Sequence, residues 1–229
     1  MQTIPLTHLA LSFLPALIVV GYMLRTRRGH ANALYALARM VVQLMLIGYV
    51  LIYIFESEQP PVVLGVLGVM MVAASYIALR TVAPRRRELF PKALLSIFLG
   101  GGGTLALVTQ GVLRVDPWYA PSVVIPLGGM IFAASMNAIA LAAERRESET
   151  GRGASEGEAS VDAFHTALIP VMNSLFAVGL VTLPGMMTGQ ILSGVSPLIA
   201  ARYQIMVMAM IFGATGLSAL LFLHLSRKR

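Results

Sequence analysis

Long apolar stretches alternate with short polar connections along almost the whole chain. A helix that crosses a bilayer needs about 20 predominantly apolar residues, and seven segments reach or approach that length. The pattern therefore predicts an all-α, polytopic membrane protein with about seven transmembrane helices, formed as a single domain over residues 1–229. The predicted spans are residues 7–24, 34–55, 61–79, 93–113, 121–143, 167–183 and 202–223.

Composition supports this class and excludes several others. Hydrophobic residues make up 57% of the chain and charged residues only 12%, against roughly 25% charged in soluble domains. The chain has no cysteine, which excludes disulfides, thiolate metal sites and thiol catalysis. The net charge of +7 lies mostly in short loops beside apolar spans. It therefore indicates a lipid bilayer as the partner and no nucleic acid.

The basic residues also predict an orientation. Loops rich in Lys and Arg stay in the cytoplasm, so we expect an outer N-terminus and a cytoplasmic C-terminus in the plasma (inner) membrane. An odd number of spans agrees with this. The basic loops contain Arg25, Arg27, Arg28, His30, then Arg80, Arg85, Arg86, Arg87, Lys92, then Arg145, Arg146, Arg152, and finally Arg227, Lys228, Arg229, whereas the opposite loops contain Glu56, Glu58, Arg114, Asp116 and Arg202.

Four consecutive glycines, residues 100–103, lie inside the fourth predicted span. They permit either close packing against another helix or an unwound turn that acts as a hinge or lines a cavity. They are not a phosphate loop, because the pattern G-x-x-x-x-G-K-[ST] is absent from the chain. We therefore expect no ATPase activity and no bound cofactor in this chain.

Three amide side chains lie inside predicted spans. Gln43, one turn after Arg39, is expected to form an interhelical hydrogen bond rather than to contact a substrate. Asn137 and Asn173 are expected to be buried, and an unpaired buried amide is costly. They would pair with each other or line a polar pathway. The spans contain no Asp or Glu, and histidines lie only near their ends, so no metal site is predicted.

Residues 183–197, LPGMMTGQILSGVSP, interrupt two apolar segments. Proline removes a backbone donor, and irregular backbone at membrane depth must be buried in protein or line a wet cavity. A G-x-x-x-G pair favours close helix approach, and adjacent methionines suit a surface that repacks. We predict a broken-helix or re-entrant gate near the outer mouth, with a plain outer loop as the alternative. The gate residues would be Pro184, Gly185, Met186, Met187, Thr188, Gly189 and Gln190.

The only long polar connection, residues 144–168, carries most of the acidic side chains. Its middle, ETGRGASEGEAS, has a composition typical of weak order. A helical pattern resumes after it, with Ser160 as the expected N-cap.

The run LVTLPGMMTGQILSGVSPLIAARYQIMVMAMIF, together with ALARMVVQLMLIGYVLIYIF and AFHTALIPVMNSL, resembles the Fet B-type permeases. These are membrane subunits of a small ABC transporter described as an iron exporter, and their plant STAR-type relatives are linked to aluminium tolerance with a proposed nucleotide-sugar cargo. The resemblance implies a permease domain driven by a separate ATP-binding subunit, with ATP and Mg on that partner. It also implies a homodimer of permeases in a 2+2 assembly.

The resemblance gives residues 144–168 a role as a cytoplasmic coupling element. Glu158, Ala159, Asp162 and Phe164 would dock on the ATPase as a helix in a groove, and ATP-driven closure would switch the access of the cavity.

The resemblance implies iron or another metal as cargo. Iron prefers imidazole and carboxylate ligands, whereas thioether sulfur suits Cu(I), so the residues themselves indicate a flexible passage rather than a metal trap. A nucleotide sugar or another small organic cargo stays open, as does a membrane scaffold without transport.

Overall fold

The computed structural model describes residues 5–27, 29–55 and 59–227. Five charged residues used in the orientation argument, Arg28, Glu56, Glu58, Lys228 and Arg229, lie outside the described residues. Within those ranges the chain is helical apart from turns and one isolated bridge between Val178 and Thr182. It divides into two compact units, Met1–Glu56 and Ser57–Arg229. A single domain over residues 1–229 stays a prediction.

The first unit contains helices α1 (Leu6–Leu11), α2 (Leu14–Arg25) and α3 (His30–Phe55). A proline in the first turn of α2 separates it from α1, because proline lacks the amide that would continue the hydrogen-bond ladder. The chain then reverses through Arg27 (φ 53°) and Gly29 (φ 71°), and α2 contacts α3.

The second unit is built around two long helices. Helix α10 lies at its centre and contacts α5, α7, α8 and α9, while α7 also packs against α4 and α8. Between α5 and α7 the helical segment contains two π-helical stretches, Ile97–Gly102 and Leu107–Val112. The helices of this unit are α4 (Pro60–Ala78), α5 (Arg86–Ser96), α6 (Gly103–Ala106), α7 (Pro121–Gly151), α8 (Glu156–Ala177), α9 (Gly185–Leu192) and α10 (Pro197–Leu225).

Six helical segments of the described residues are long and apolar enough to cross a membrane: Thr7–Arg25, His30–Val50, Pro60–Ala78, Ala83–Val112, Pro121–Gly151 and Pro197–Leu225. The predicted span 167–183 is not among them, so the described residues contain six such helices where about seven were expected. The corresponding helix is α8, whose first half carries Glu156, Glu158 and Asp162. It ends at Ala177 because the chain turns at Gly179, which has a φ of 82°.

The four glycines at 100–103 divide between close helix packing and the lining of a cavity, the two alternatives drawn from the sequence. Gly100 and Gly101 are buried, and a Cβ on Gly100 would lie 2.7 Å from the backbone nitrogen of Ser218 on α10. At the same crossing the hydroxyl of Ser218 donates to the hydroxyl of Ser135 on α7, at 3.0 Å. Gly102 and Gly103 instead line a cavity of about 580 Å³. The first half of the run therefore serves close packing, and the second half borders space.

We predict that Gly100→Ala lowers the thermal unfolding midpoint of the protein in detergent. The new methyl group would overlap the α10 backbone, and overpacking of this kind costs about 1–3 kcal/mol. Gly103→Ala is the matched control, since an added Cβ there meets nothing within 4 Å. An equal effect of the two substitutions would contradict the close-packing assignment.

Candidate functional site

The backbone of residues 183–197 is broken, as its prolines predict. Pro184 has extended geometry and immediately precedes α9, and Gly194 (φ 92°) ends the turn that follows this short helix. Pro197 then begins α10. The interruption is therefore a single short helix held between two turns. Its role as a gate stays a prediction.

Several predicted gate residues do not form the contacts expected of them. A Cβ on Gly185 or Gly189 would meet nothing within 4 Å, so the expected G-x-x-x-G contact with another helix is absent from the described part of the chain. The hydroxyl of Thr188 donates to the carbonyl of Pro184 at 3.2 Å, which is a bond within its own helical turn. The side chain of Gln190 is partly buried, and its Oε1 has no partner.

Other gate residues meet α10 around an upper cavity of about 540 Å³. Leu183, Pro184 and Met187 line one side, and Gln204 and Met208 of α10 line the other. Met186 is not part of the lining. Gln204 is only 6% exposed and its Oε1 has no hydrogen-bond partner. A buried polar atom of this kind therefore faces a space that a ligand could fill.

A middle cavity of about 240 Å³ adjoins the upper one, because Met208 borders both. Asn137 of α7, Ser174 of α8 and Thr215 of α10 contribute its polar atoms. Thr215 is 3% exposed and its hydroxyl oxygen has no partner. The lining of the upper and middle cavities contains no charged side chain.

A third cavity of about 480 Å³ lies where α8 begins and α10 ends. Phe164 and His165 of α8 face His224 and Arg227 across it. Because α8 runs antiparallel to α10, the three cavities follow one another along the contact between these helices. We call this line of cavities the α8–α10 seam.

The amides found in the sequence do not pair as expected. Asn137 and Asn173 are both exposed rather than buried, and no described hydrogen bond joins them. Asn137 lines the middle cavity, whereas Asn173 lies on another face of α8 and lines none of the three. Gln43 is exposed on α3. When its side-chain amide is oriented with the oxygen toward Arg39, that oxygen accepts from the guanidinium at 3.2 Å. That bond is within one helix, and an interhelical bond of Gln43 stays a prediction.

The seam residues missed by sequence reasoning have a detectable spacing. Gln204, Met208 and Thr215 lie four and seven residues apart, which places them on one stripe of a helix. A glutamine and a threonine on one stripe of an apolar helix were the sequence feature that could have indicated a polar cavity. The apolar residues around them concealed it, because a stripe of this composition equally predicts ordinary helix packing.

The predicted coupling segment is more ordered than its composition indicates. Helix α7 continues to Gly151 and α8 begins at Glu156, so only residues 152–155 are non-helical. The N-cap is Ser155, not Ser160. The Ser155 oxygen accepts from the Glu158 amide at 3.3 Å, and the Glu158 carboxylate accepts from the Ser155 amide at 3.2 Å. This reciprocal capping explains why a Gly- and Ser-rich stretch forms a tight turn.

The four coupling residues occupy different environments. Glu158 and Asp162 are exposed, Ala159 is fully buried, and Phe164 lies half-buried with its ring edge-on to His165 at 5.9 Å. Ala159 packs inside the helix bundle and is not available for docking. Glu158 and Asp162 are available on the surface.

An arginine ties this end of α7 to α10. Arg146 is 4% exposed, and its guanidinium donates to the Ser226 hydroxyl at 2.7 Å and to the Leu223 carbonyl at 3.5 Å. Carbonyls at a helix C-terminus lack intrahelical donors and attract cations. The contact therefore fixes the end of α10 against α7, next to the coupling turn.

Across residues 5–27, 29–55 and 59–227 there is no cluster of three or more His, Asp or Glu side chains able to hold a metal ion. The only soft donors in the seam are the thioethers of Met187 and Met208. The lining therefore resembles a passage for a bound molecule more than a chelating site.

The six long apolar helices and the seam between α8 and α10 define a polytopic α-helical membrane protein. The chain belongs to the Uncharacterised protein family (UPF0014), whose model matches residues 6–229. This confirms the resemblance drawn from the sequence.

Three relatives show how far the similarity extends. A UPF0014 membrane protein of Synechocystis is 37% identical over 82% of this chain and 78% of its own length. The probable iron export permease protein FetB of Escherichia coli is 31% identical over 98% of this chain and 92% of its own. The UPF0014 membrane protein STAR2 of rice is 33% identical over 94% and 76%. No solved structure matches the chain.

The capping of α8 generates a prediction about pH. The Ser155 hydroxyl, and then its amide, hold the pKa of Glu158 below its ordinary range. The ionised carboxylate therefore stabilises the first turn of α8 above the unfolded pKa of about 4.3. That contribution is lost as the pH falls through the lower folded pKa.

We predict that amide hydrogens in the first turn of α8 exchange more slowly in wild type than in Glu158→Gln at neutral pH. This difference should disappear in acid, where the Glu158 carboxylate is protonated. Ser155→Ala should accelerate exchange in the same turn. Ser193→Ala is the control, because that exposed hydroxyl bonds only within α9. Equal exchange in wild type and Ser155→Ala would contradict the capping role.

Proposed function

We propose that this protein is the permease subunit of an ABC transporter and that its cargo crosses along the α8–α10 seam. The observation that carries the proposal is the line of three cavities, the first of which lies beside the broken segment 183–197. Non-helical backbone at membrane depth persists where it is buried in protein or lines a cavity. The E. coli relative, which matches 98% of this chain, is named as an export permease.

The topology that fits this function has seven crossings, an outer N-terminus and a cytoplasmic C-terminus. Helix α8 would supply the seventh crossing, because it runs antiparallel to α10 from the third cavity to the upper one. Its 22 residues span about 33 Å at 1.5 Å per residue. Since its first half is polar, the non-helical stretch after Ala177 would complete the crossing. The basic residues at the ends of α2, α7 and α10 support this orientation.

Energy would come from a separate ATP-binding subunit that holds ATP and Mg, in an assembly of two permeases and two ATPases. The contact would form at the turn between α7 and α8, where Glu158 and Asp162 are exposed. Ser155 caps α8 at the end of that turn, and Arg146, near the end of α7, bonds the C-terminal end of α10. Movement of the turn by the ATPase would therefore shift the α10 wall of the seam.

The first candidate cargo is iron or another metal, after the name of the E. coli relative. The second is a nucleotide sugar or another small organic molecule. What favours a small organic molecule over a bare metal ion is the lining of the upper and middle cavities, which offers amide, hydroxyl and thioether groups but no cluster of metal ligands among the described residues. A non-transporting scaffold is the third reading, and the ATPase experiment below separates it from the first two.

We predict that Asp162→Arg lowers stimulation of the co-purified ATP-binding subunit by about fivefold or more. Asp162 is exposed in the second turn of α8, and reversal of a charge at an interface produces repulsion. The measurement is ATP hydrolysis by the pair in proteoliposomes. Arg202→Glu is the matched charge reversal at the opposite end of the molecule, where no ATPase contact is expected. Absence of stimulation by the wild-type chain would favour the scaffold.

We predict that Met187→Ala weakens cargo export in cells by about threefold or more, whereas Met186→Ala has little effect. Met187 lines the upper cavity and Met186 does not, although they are adjacent and chemically identical. Metal tolerance and retention of labelled metal provide the measurement. Equal sensitivity of the two positions would remove the upper cavity from the pathway.

A further inference from the structure

We propose that the upper and middle cavities of the seam accept an electrically neutral, hydrogen-bonding organic molecule, and that a metal enters them only inside an uncharged chelate. This inference rests on the proposed function, because it treats the seam as the cargo pathway. It names the chemical class of the cargo, which neither the family description nor the relatives provide for this chain.

The absence of charge in the upper and middle cavities of the seam is the first reason. The described linings of the upper and middle cavities contain no Lys, Arg, His, Asp or Glu. An ion that loses its water in apolar surroundings needs a counter-charge or a dense set of ligands. A free iron cation and a nucleotide-sugar dianion are therefore both poorly matched to these two cavities.

The unpaired buried atoms are the second reason. Oε1 of Gln204 and Oγ1 of Thr215 lack partners, and both residues are more than nine-tenths buried. Most buried polar atoms in proteins are hydrogen-bonded, so these two mark positions that a ligand can satisfy. Gln204 would accept from a hydroxyl or amide of the ligand, and Thr215 can donate or accept.

The spacing of these atoms indicates two successive positions rather than one large site. Gln204 and Thr215 lie eleven residues apart on α10, which corresponds to about 16 Å along a helix. Gln204 belongs to the upper cavity, Thr215 to the middle one, and Met208 borders both. A flexible thioether between them adapts to varied apolar shapes, as the organic shell of a chelate requires.

The test is direct binding to the full chain in lipid nanodiscs, measured by titration calorimetry with three probes. These are tris(maltolato)iron(III), which is a neutral complex, Fe²⁺ kept reduced with ascorbate, and UDP-glucose. We expect saturable binding of the neutral complex only, with empty nanodiscs as the blank. Saturable binding of Fe²⁺ or UDP-glucose that is lost in Met208→Trp would overturn the inference.

Two variants locate the site. Gln204→Leu removes the unpaired amide and should weaken binding of the neutral complex about tenfold. Thr215→Val keeps the side-chain volume and should weaken it about threefold, so the test does not depend on one variant. Asn32→Leu is the matched amide-to-leucine control on an exposed position of α3 and should change affinity less than about twofold.

Unchanged affinity in both Gln204→Leu and Thr215→Val would overturn the assignment of the neutral complex to the seam. ATPase stimulation by a chain that does not bind the neutral complex would overturn this inference while the proposed function stands.

Discussion

The contact between Gly100 and Ser218 determines where α10 lies, and the rest of the second unit depends on α10. With no side chain at Gly100, the α10 backbone lies against the π-helical stretch, and Ser218 reaches Ser135 of α7. Close approach through small residues is a main source of helix association in membranes, where apolar burial against lipid provides little. One stripe of α10 is therefore anchored in the core, while another is left to face α8 and form the seam.

The two ends of α10 are held by different means. At its C-terminal end, Arg146 bonds the Ser226 hydroxyl and lies close to the capped turn before α8. At its N-terminal end, α10 follows the two turns around α9, and none of the described residues of α9 is buried. Regions with few buried contacts open most easily. The arrangement therefore combines a firm attachment at the α7–α8 turn with a loosely packed segment beside the upper cavity.

The sequence was sufficient for what depends on hydrophobic length and backbone chemistry. Six of the seven predicted spans correspond to long helices, and the prolines and glycines of residues 183–197 predicted an interruption, although α8 already ends at Ala177. The sequence was insufficient where a residue's role depends on which groups it contacts in the folded chain. Ser155 caps α8 through a reciprocal bond with Glu158, whereas composition alone indicated weak order. Gln204 resembles an ordinary core residue until the cavity beside it is seen. Asn137 of α7 lines the middle cavity and Asn173 of α8 does not. Sequence spacing cannot predict this, because it does not give the relative rotation of two separate helices.

The small volume around Met208 has a consequence for the size of what can pass. Sites for small organic molecules usually enclose about 300–1,000 Å³, and the upper cavity at about 540 Å³ falls in that range, whereas the middle cavity at about 240 Å³ does not. A molecule that occupies the two positions in turn must therefore fit the smaller one, or α8 and α10 must move apart. A cargo that fills the upper cavity would need the two helices to separate before it moved past Met208. Met208 would then be the side chain that limits the size of the cargo.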